Sequence, residues 1–154
     1  MLLPKKNEEF LKYLLNRKEG QTIDFKQSIT SSQKLAKTLV AFANTEGGII
    51  VIGVSDKKKI IGVDPEEEVF MVEKALFENC DPHPTLRFEL LETIELSEKN
   101  VETEKYVLLV VVEKSIQKHY FKNQSGEKIY YKRLYDQTIP GTTESCPNSP
   151  PTGN

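Results

Sequence analysis

The 154-residue sequence contains no tryptophan, two histidines and two cysteines. Cys80 and Cys146 are too far apart in sequence to form the paired spacing of a zinc site or a disulfide framework, so we expect two free thiols. No apolar run is long enough to span a bilayer, and the amino-terminal segment becomes charged too early for a signal peptide. These absences predict a single-domain globular protein in the cytoplasm with no membrane partner.

Neither acidic nor basic residues dominate overall, because the formal net charge is −2. The charges are nevertheless segregated along the chain. Residues 1–60 carry 11 Lys/Arg against six Asp/Glu, residues 61–113 carry four against 14, and residues 114–136 carry six against two. Such segments are compatible with ordinary solvated faces, or with a basic face that neutralises the phosphates of a polyanion.

No known phosphate-binding loop is present. A Walker A loop requires Gly-Lys followed by Ser or Thr between a strand and a helix, and the sequence contains no such tripeptide. In "FANTEGGIIVIGVSD", residues 42–56, Gly47 and Gly48 instead follow a predicted helix and precede a predicted strand. This order indicates a helix end and a tight turn, and it does not support ATP binding through a known motif.

The pattern of apolar residues predicts an α+β fold. Three helices are expected, with amino-terminal caps at Asn7, within residues 30–32 and at Asp64. Alternating and continuous apolar runs predict a mixed sheet of about six strands, which the three helices cover. We expect this domain to comprise residues 1–137. Residues 138–154 are rich in Pro, Gly, Ser and Thr and are expected to form a disordered tail or a linker.

Three carboxylates form a candidate catalytic and metal-binding set. Glu19 and Asp24 flank the start of the first long predicted strand, and Asp56 follows the next strand. If these strands are neighbours, the three acids converge at one sheet edge. Carboxylate oxygens suit Mg²⁺ or Mn²⁺, and such ions activate water for phosphodiester cleavage. The alternative interpretation is solvated surface charge, which is common in a chain with 23 acidic residues.

Four segments resemble, in order, the motifs of the Schlafen AlbA-type domain: "EGQTIDFKQS", "KLAKTLVAFANTEGGIIVIGVSDKKKIIGV", "VLLVVVEKSIQKHYFKN" and "IYYKRLYDQTIP". The resemblance covers about residues 14–140 and implies a single lobe of that fold. Bacterial members of this family are labelled DNA-binding domains, transcriptional regulators or divergent AAA ATPase-like proteins. In relatives that cleave structured RNA, three acids form a metal-dependent nuclease site, and these match Glu19, Asp24 and Asp56.

This sequence departs from the nuclease pattern in two respects. Asp24 stands where the nucleases have Glu, which shortens that ligand by about 1.5 Å, one carbon–carbon bond. The nucleases also pair two lobes around RNA, whereas this chain contains one. A complete cleft would therefore require a homodimer or a further domain.

Two functions of different class remain open, with a third as a further alternative. The first is a nucleic-acid-binding module for DNA or RNA, which basic and aromatic residues indicate and which is compatible with a transcriptional regulator. The second is a metal-dependent nuclease with Mg or Mn as cofactor, and the third is a protein-interaction domain. The residues expected to contact nucleic acid are Lys26, Lys57, Lys58, Lys59, Lys118, Tyr120, Lys122, Lys132 and Arg133.

Overall fold

The computed structural model describes residues 2–141. It contains three helices and two sheets, and it confirms the predicted α+β class. The helices are α1 (Glu8–Leu15), α2 (Ser32–Asn44) and α3 (Pro65–Asn79). The strands are β1 (Pro4–Lys5), β2 (Ile23–Lys26), β3 (Gly48–Ile52), β4 (Cys80–Asp81), β5 (Leu86–Leu96), β6 (Glu102–Val112), β7 (Tyr120–Lys122), β8 (Lys128–Leu134) and β9 (Gln137–Pro140).

Each helix begins at one of the predicted caps. The Asn7 side chain accepts a hydrogen bond from the backbone N–H of Phe10 at 3.1 Å, and Ser31 Oγ accepts one from Lys34 at 3.2 Å. Asp64 accepts from the first turn of α3 in the same way. These side chains satisfy backbone donors that have no partner within the helix, which is why the helices start at these residues.

The larger sheet has five strands in the order β1–β5–β6–β3–β2. β2 and β3 are parallel neighbours, with Asp24 opposite Ile50, because α2 forms the crossover between them. β3 is antiparallel to β6, and β6 is antiparallel to β5. β2 is consequently an edge strand, and it lies beside β3, the strand that leads into the loop containing Asp56.

The remaining strands form a second sheet in the order β4–β7–β8–β9. The expected single sheet of about six strands is therefore divided into sheets of five and four strands. β9 extends the folded region beyond the predicted boundary at residue 137, because Thr138 pairs with Arg133 and Ile139 pairs with Lys132. Residues 142–154, which include Cys146 and most of the predicted tail, lie outside the described residues.

Both faces of β3 are buried, as its continuous apolar sequence predicts. Ile50 and Ile52 pack on the side of α2 and α3, whereas Val51 packs with Ile23 and Phe25 on the side of α1. α2 also contacts β8 of the second sheet. Because α2 lies between the two sheets, nearly every side chain in its second half is inaccessible to solvent.

The double glycine ends α2 and brings β3 close to its neighbours. Gly47 has φ +72°, and its N–H donates to Phe42 O at 2.7 Å. A Cβ atom on Gly48 would lie 2.6 Å from the backbone oxygen of Thr22. These glycines therefore serve the helix end and a close backbone approach, which matches the structural interpretation of the motif.

Candidate nucleic-acid interface

A buried ion pair joins the edge of the larger sheet to the second sheet. Asp24 and Arg133 are each 4% exposed, and Arg133 Nη2 donates to Asp24 Oδ1 at 3.1 Å. The same guanidinium donates to Gly20 O at 3.0 Å and to Thr138 Oγ1 at 3.1 Å, and it lies 4.9 Å from the centre of the Phe42 ring. Because three of its nitrogens are held by the protein, Arg133 fixes the position of the Asp24 carboxylate.

The second oxygen of Asp24 has a different environment. Asp24 Oδ2 is buried, and no donor within residues 2–141 meets it with hydrogen-bond geometry, although Lys26 Nζ lies 3.2 Å away. The short distance thus represents an ion pair without hydrogen-bond geometry. Since 42% of the Lys26 side chain is exposed, the ammonium group is shared between this carboxylate and solvent.

The structure brings Glu19 and Asp24 together. Glu19 Oε2 accepts a hydrogen bond from the backbone N–H of Phe25 at 3.0 Å. The pKa of the Glu19 carboxyl is raised, mainly because the fold removes water from it and also because the Asp24 carboxylate is adjacent; the Phe25 N–H opposes this rise. Glu19 therefore holds its proton to higher pH than an isolated glutamate does.

Asp56 does not complete a group of metal ligands with this pair. It is exposed in the loop closed by the bridge between Val54 and Ile60, where Ser55 N–H donates to Lys59 O at 2.9 Å. Within residues 2–141, no group of three or more His, Cys, Asp or Glu side chains is arranged to hold a metal ion. The described side chains thus form a pair of carboxylates and do not fit a three-ligand Mg²⁺ or Mn²⁺ site, so they support no metal-dependent step.

A cleft of about 350 Å³ lies beside Asp24, between the end of β2, the first turns of α2 and the turn after β8. Its size is within the range of ligand-binding pockets. Four basic and two acidic side chains line it, and Arg133 is already paired with Asp24. The other basic residues are Lys26, which is also ion-paired with Asp24, Lys34, and Lys37, whose ammonium lies 5.1 Å from the centre of the Phe121 ring. The hydroxyl-bearing residues are Ser28, Thr30, Ser31, Thr38 and Thr138.

The other predicted lysines are distributed over several surfaces. Lys57 and Lys59 are exposed in the loop that contains Asp56. Lys58 donates to the backbone oxygen of Arg17, and its ammonium lies 4.0 Å from the centre of the Phe25 ring. Those two contacts hold Lys58 against the protein, whereas its neighbours extend into solvent.

On the second sheet, Lys118 and Lys132 are exposed and Lys122 is partly buried. Tyr120 is 5% exposed, and its ring centre lies 5.9 Å from that of Tyr130. A ring that packs inside the fold has no free face for a base, so we assign Tyr120 to the packing of the second sheet.

Lys34 and Lys37 were not among the predicted contacts. In sequence they resemble the ordinary charged residues of an amphipathic helix. One signal was available, since the segment "SITSS", residues 28–32, places four hydroxyl side chains around the start of the helix, three before it and one at its first residue. Ser and Thr side chains and helix amino termini both contact phosphate oxygens in nucleic-acid complexes.

None of the helices within residues 2–141 is long and apolar enough to cross a membrane. The chain is similar to a crystal structure of the DIP2311 protein from Corynebacterium diphtheriae, with a TM-score of 0.49 and 18% sequence identity. That match covers 87% of this chain and 26% of the other, so the chain spans about a quarter of that protein's length. The family model described as "Schlafen, AlbA_2" matches residues 19–141. This match includes every element from β2 to β9 and both walls of the cleft, and the chain therefore belongs to the Schlafen AlbA_2 family.

Proposed function

We propose that this domain binds nucleic acid and holds the phosphates of a strand in the cleft at the start of α2. The observation that carries the proposal is the convergence of Lys26, Lys34 and Lys37 on one cleft rich in hydroxyl groups. Lysine side chains, hydroxyl groups and helix amino termini are the groups that contact phosphate oxygens in nucleic-acid complexes. Membership of the family is compatible with this role.

The electrostatics of the cleft also favour a polyanion. The carboxylate of Asp24 lies at the cleft, but it is paired with Arg133, which reduces its repulsion of a phosphate. The amino-terminal end of α2 adds a partial positive charge beside Lys34. The cleft is therefore locally basic in a protein whose formal net charge is −2.

The test is a fluorescence-anisotropy titration of labelled single-stranded and structured oligonucleotides over a range of salt concentrations. Exposed ion pairs each contribute up to about 1 kcal/mol, so the triple replacement of Lys26, Lys34 and Lys37 by Ala should weaken binding about 10- to 100-fold. The slope of log affinity against log salt should flatten by about 0.7 for each phosphate of a single strand that the variant no longer neutralises.

A charge-matched control replaces Lys5, Lys12 and Lys99 by Ala, since none of these exposed lysines lines the cleft. We expect this variant to retain the affinity and salt slope of the wild type to within about twofold, because charges far from the bound strand are screened by salt. Equal weakening in both triple variants would show that the overall charge, and not the cleft, determines binding. No retention of any nucleic acid at low salt would refute the proposed function.

The alternative function, a metal-dependent nuclease, can also be tested, because Glu19 and Asp24 lie next to each other. A working metal site would make Mg²⁺ or Mn²⁺ raise the melting temperature, because a ligand that binds only the folded state stabilises it. Asp56→Asn should abolish that rise if Asp56 is a ligand. Since the described residues contain no group of three such ligands, we expect no rise in either protein and no metal-dependent cleavage of structured RNA.

The preferred nucleic acid and the oligomeric state have separate tests. Competition between duplex DNA, single-stranded DNA and RNA of the same sequence shows which nucleic acid the domain prefers. A preference for duplex DNA would support the interpretation of the protein as a transcriptional regulator. Analytical ultracentrifugation with and without an oligonucleotide tests whether the chain forms the homodimer that is one way to complete a cleft. A protein-interaction function would instead leave both triple lysine variants indistinguishable from the wild type in every nucleic-acid assay.

A further inference from the structure

An exposed tyrosine occupies the turn beside the cleft. Tyr135 and Asp136 form the two-residue turn between β8 and β9, and Tyr135 is 75% exposed. Arg133, Asp136 and Thr138, which flank Tyr135 along this hairpin, all line the cleft. Tyr135 is therefore at the edge of the cleft, with most of its surface in solvent.

The backbone of Tyr135 adopts a conformation that a bulky residue rarely takes. Its φ angle is +54°, in the left-handed region, where glycine is the usual residue at the first position of such a turn. The Gln21 side chain fixes this arrangement, because its Oε1 accepts from Tyr135 N–H at 2.8 Å and its Nε2 donates to Arg133 O at 3.0 Å. A bulky residue held in a strained turn indicates a role that glycine would not perform.

The tyrosine ring does not contribute to the interior of the protein. Within residues 2–141, Tyr135 takes part in no aromatic or cation–π pair, and its hydroxyl group forms no hydrogen bond. The other tyrosines of the second sheet, Tyr120, Tyr130 and Tyr131, are at most 9% exposed. Of the four tyrosines in this sheet, Tyr135 is thus the one whose ring is open to a ligand.

The charges around the cleft favour a base over a phosphate at this turn. The lysines of the cleft, Lys26, Lys34 and Lys37, belong to β2 and α2. The turn instead contributes Asp136, and a carboxylate repels a phosphate. An aromatic ring accepts the face of any nucleic-acid base. A strand with its phosphates on the lysines would therefore direct a base towards the turn.

We propose that Tyr135 is a stacking platform for an unpaired base of the strand whose phosphates occupy the cleft. This inference rests on the proposed function, and it assigns a single-stranded ligand to the domain. Paired bases inside a duplex stack on one another and leave no face open. Gln21 holds the backbone of Tyr135 in place before binding, so less conformational freedom is lost when the base stacks.

The experiment measures the affinity of Tyr135 variants for a short labelled single strand by fluorescence anisotropy. Tyr135→Gly removes the ring at a position where glycine is the preferred residue, so this variant should melt close to the wild-type temperature. The loss of one base–aromatic stack should weaken its binding about five- to 100-fold. Tyr135→Phe keeps an aromatic ring and should bind within about threefold of the wild type.

A matched control and the salt dependence separate stacking from a general loss of binding. Tyr13 on α1 is 59% exposed and does not line the cleft, so Tyr13→Ala should keep the affinity of the wild type to within about twofold. Tyr135→Gly should keep the wild-type slope of log affinity against log salt, because a stacked base releases no counterions. A Tyr135→Phe protein that binds as weakly as Tyr135→Gly would overturn the proposal.

The absence of tryptophan provides a direct signal of stacking, since Tyr135→Trp introduces the only indole of the chain. A base stacked on this indole should quench its fluorescence. An ordinary single strand should therefore quench it, whereas a strand of abasic sugar–phosphate units should bind without quenching, because it retains the phosphates and lacks the bases. Equal quenching by the two strands, or no quenching by the ordinary strand, would overturn the proposal.

Failure of this inference and failure of the proposed function give different results. Wild-type binding that neither Tyr135→Gly nor the abasic strand weakens would overturn the stacking role and leave the proposed function intact. Absence of binding of every strand by the wild type would remove the proposed function and this inference with it. We expect the wild type to prefer a single strand over a duplex of the same sequence, and we expect Tyr135→Gly to narrow that preference. An equal preference in the two proteins would contradict the assignment of Tyr135 to an unpaired base.

Discussion

Replacing Arg133 by Met removes the cation that neutralises Asp24 in the interior. Both residues are 4% exposed, and the guanidinium donates to Asp24, Gly20 and Thr138. Methionine has a similar length and no charge, so the substitution leaves packing near Phe42 largely intact while it deletes all three hydrogen bonds. The main consequence is a buried carboxylate without its principal partner.

The magnitude follows from that burial. Removal of one partner of a buried ion pair destabilises a protein by about 3–5 kcal/mol. We expect about 3 kcal/mol, at the lower end of this range, because Lys26 Nζ remains 3.2 Å from Asp24 Oδ2 and can offset part of the unpaired charge. For a domain of this size, each kcal/mol lowers the melting temperature by about 2–4 °C, which gives a fall of about 6–12 °C.

Urea denaturation followed by circular dichroism measures this loss directly. Lys132→Ala is the matched control, since Lys132 is the adjacent residue of β8 and is exposed, and it should change stability by less than about 0.5 kcal/mol. The double variant Asp24→Asn/Arg133→Met should lose less than the sum of the two single variants, because each single change leaves the other group without its partner. An Arg133→Met protein within about 0.5 kcal/mol of the wild type would refute the assignment of a buried ion pair.

Three other positions are buried or crowded, and each gives a testable expectation. Burial raises the pKa of the Glu68 carboxyl, so the folded state binds this proton more tightly than the unfolded state and loses stability as the pH rises above the ordinary pKa of 4.5. The stability of Glu68→Gln relative to the wild type should therefore be greater at pH about 7 than at pH about 4, as measured by urea midpoints. Burial raises the pKa of the Cys80 thiol to about 12, so this thiol is not ionised at neutral pH. In a Cys146→Ser protein, a thiol reagent at neutral pH should therefore react with Cys80 only when the protein unfolds, and fast labelling of the folded protein would contradict this. Gly48→Ala should destabilise by about 1–3 kcal/mol, because its Cβ would lie 2.6 Å from a backbone oxygen, whereas at Gly20 the nearest atom would be 3.8 Å away and Ala should be tolerated.

Local patterns in the sequence were sufficient to predict most of the elements. The caps at Asn7 and Asp64 act within three residues along the chain, and the continuous apolar run of β3 reflects burial on both faces. The division into two sheets could not be predicted in this way. It depends on which strands pair, and short strands such as β7 and β9 have too few residues to show a preference for one partner.

The candidate site was predicted in part, for a similar reason. The approach of Glu19 to Asp24 spans five residues and could be anticipated from the sequence. The pairing of Asp24 with Arg133 joins residues 109 positions apart, and no local pattern marks it. Arg133 consequently looked like a surface contact next to Lys132, although alternation along β8 places neighbouring side chains on opposite faces. Lys34 and Lys37 acquire their significance only from the cleft that the fold creates around them.

An NMR titration of the isotopically labelled protein with a short single-stranded oligonucleotide would show where on the domain a strand binds. If the cleft at the start of α2 holds the strand, the amide signals that shift should cluster at Thr30, Ser31, Lys34, Lys37 and Thr138, and the shifts should diminish as salt is added. Shifts confined to the acidic β5–β6 hairpin or to α3, with the cleft signals unchanged, would contradict the proposed binding site.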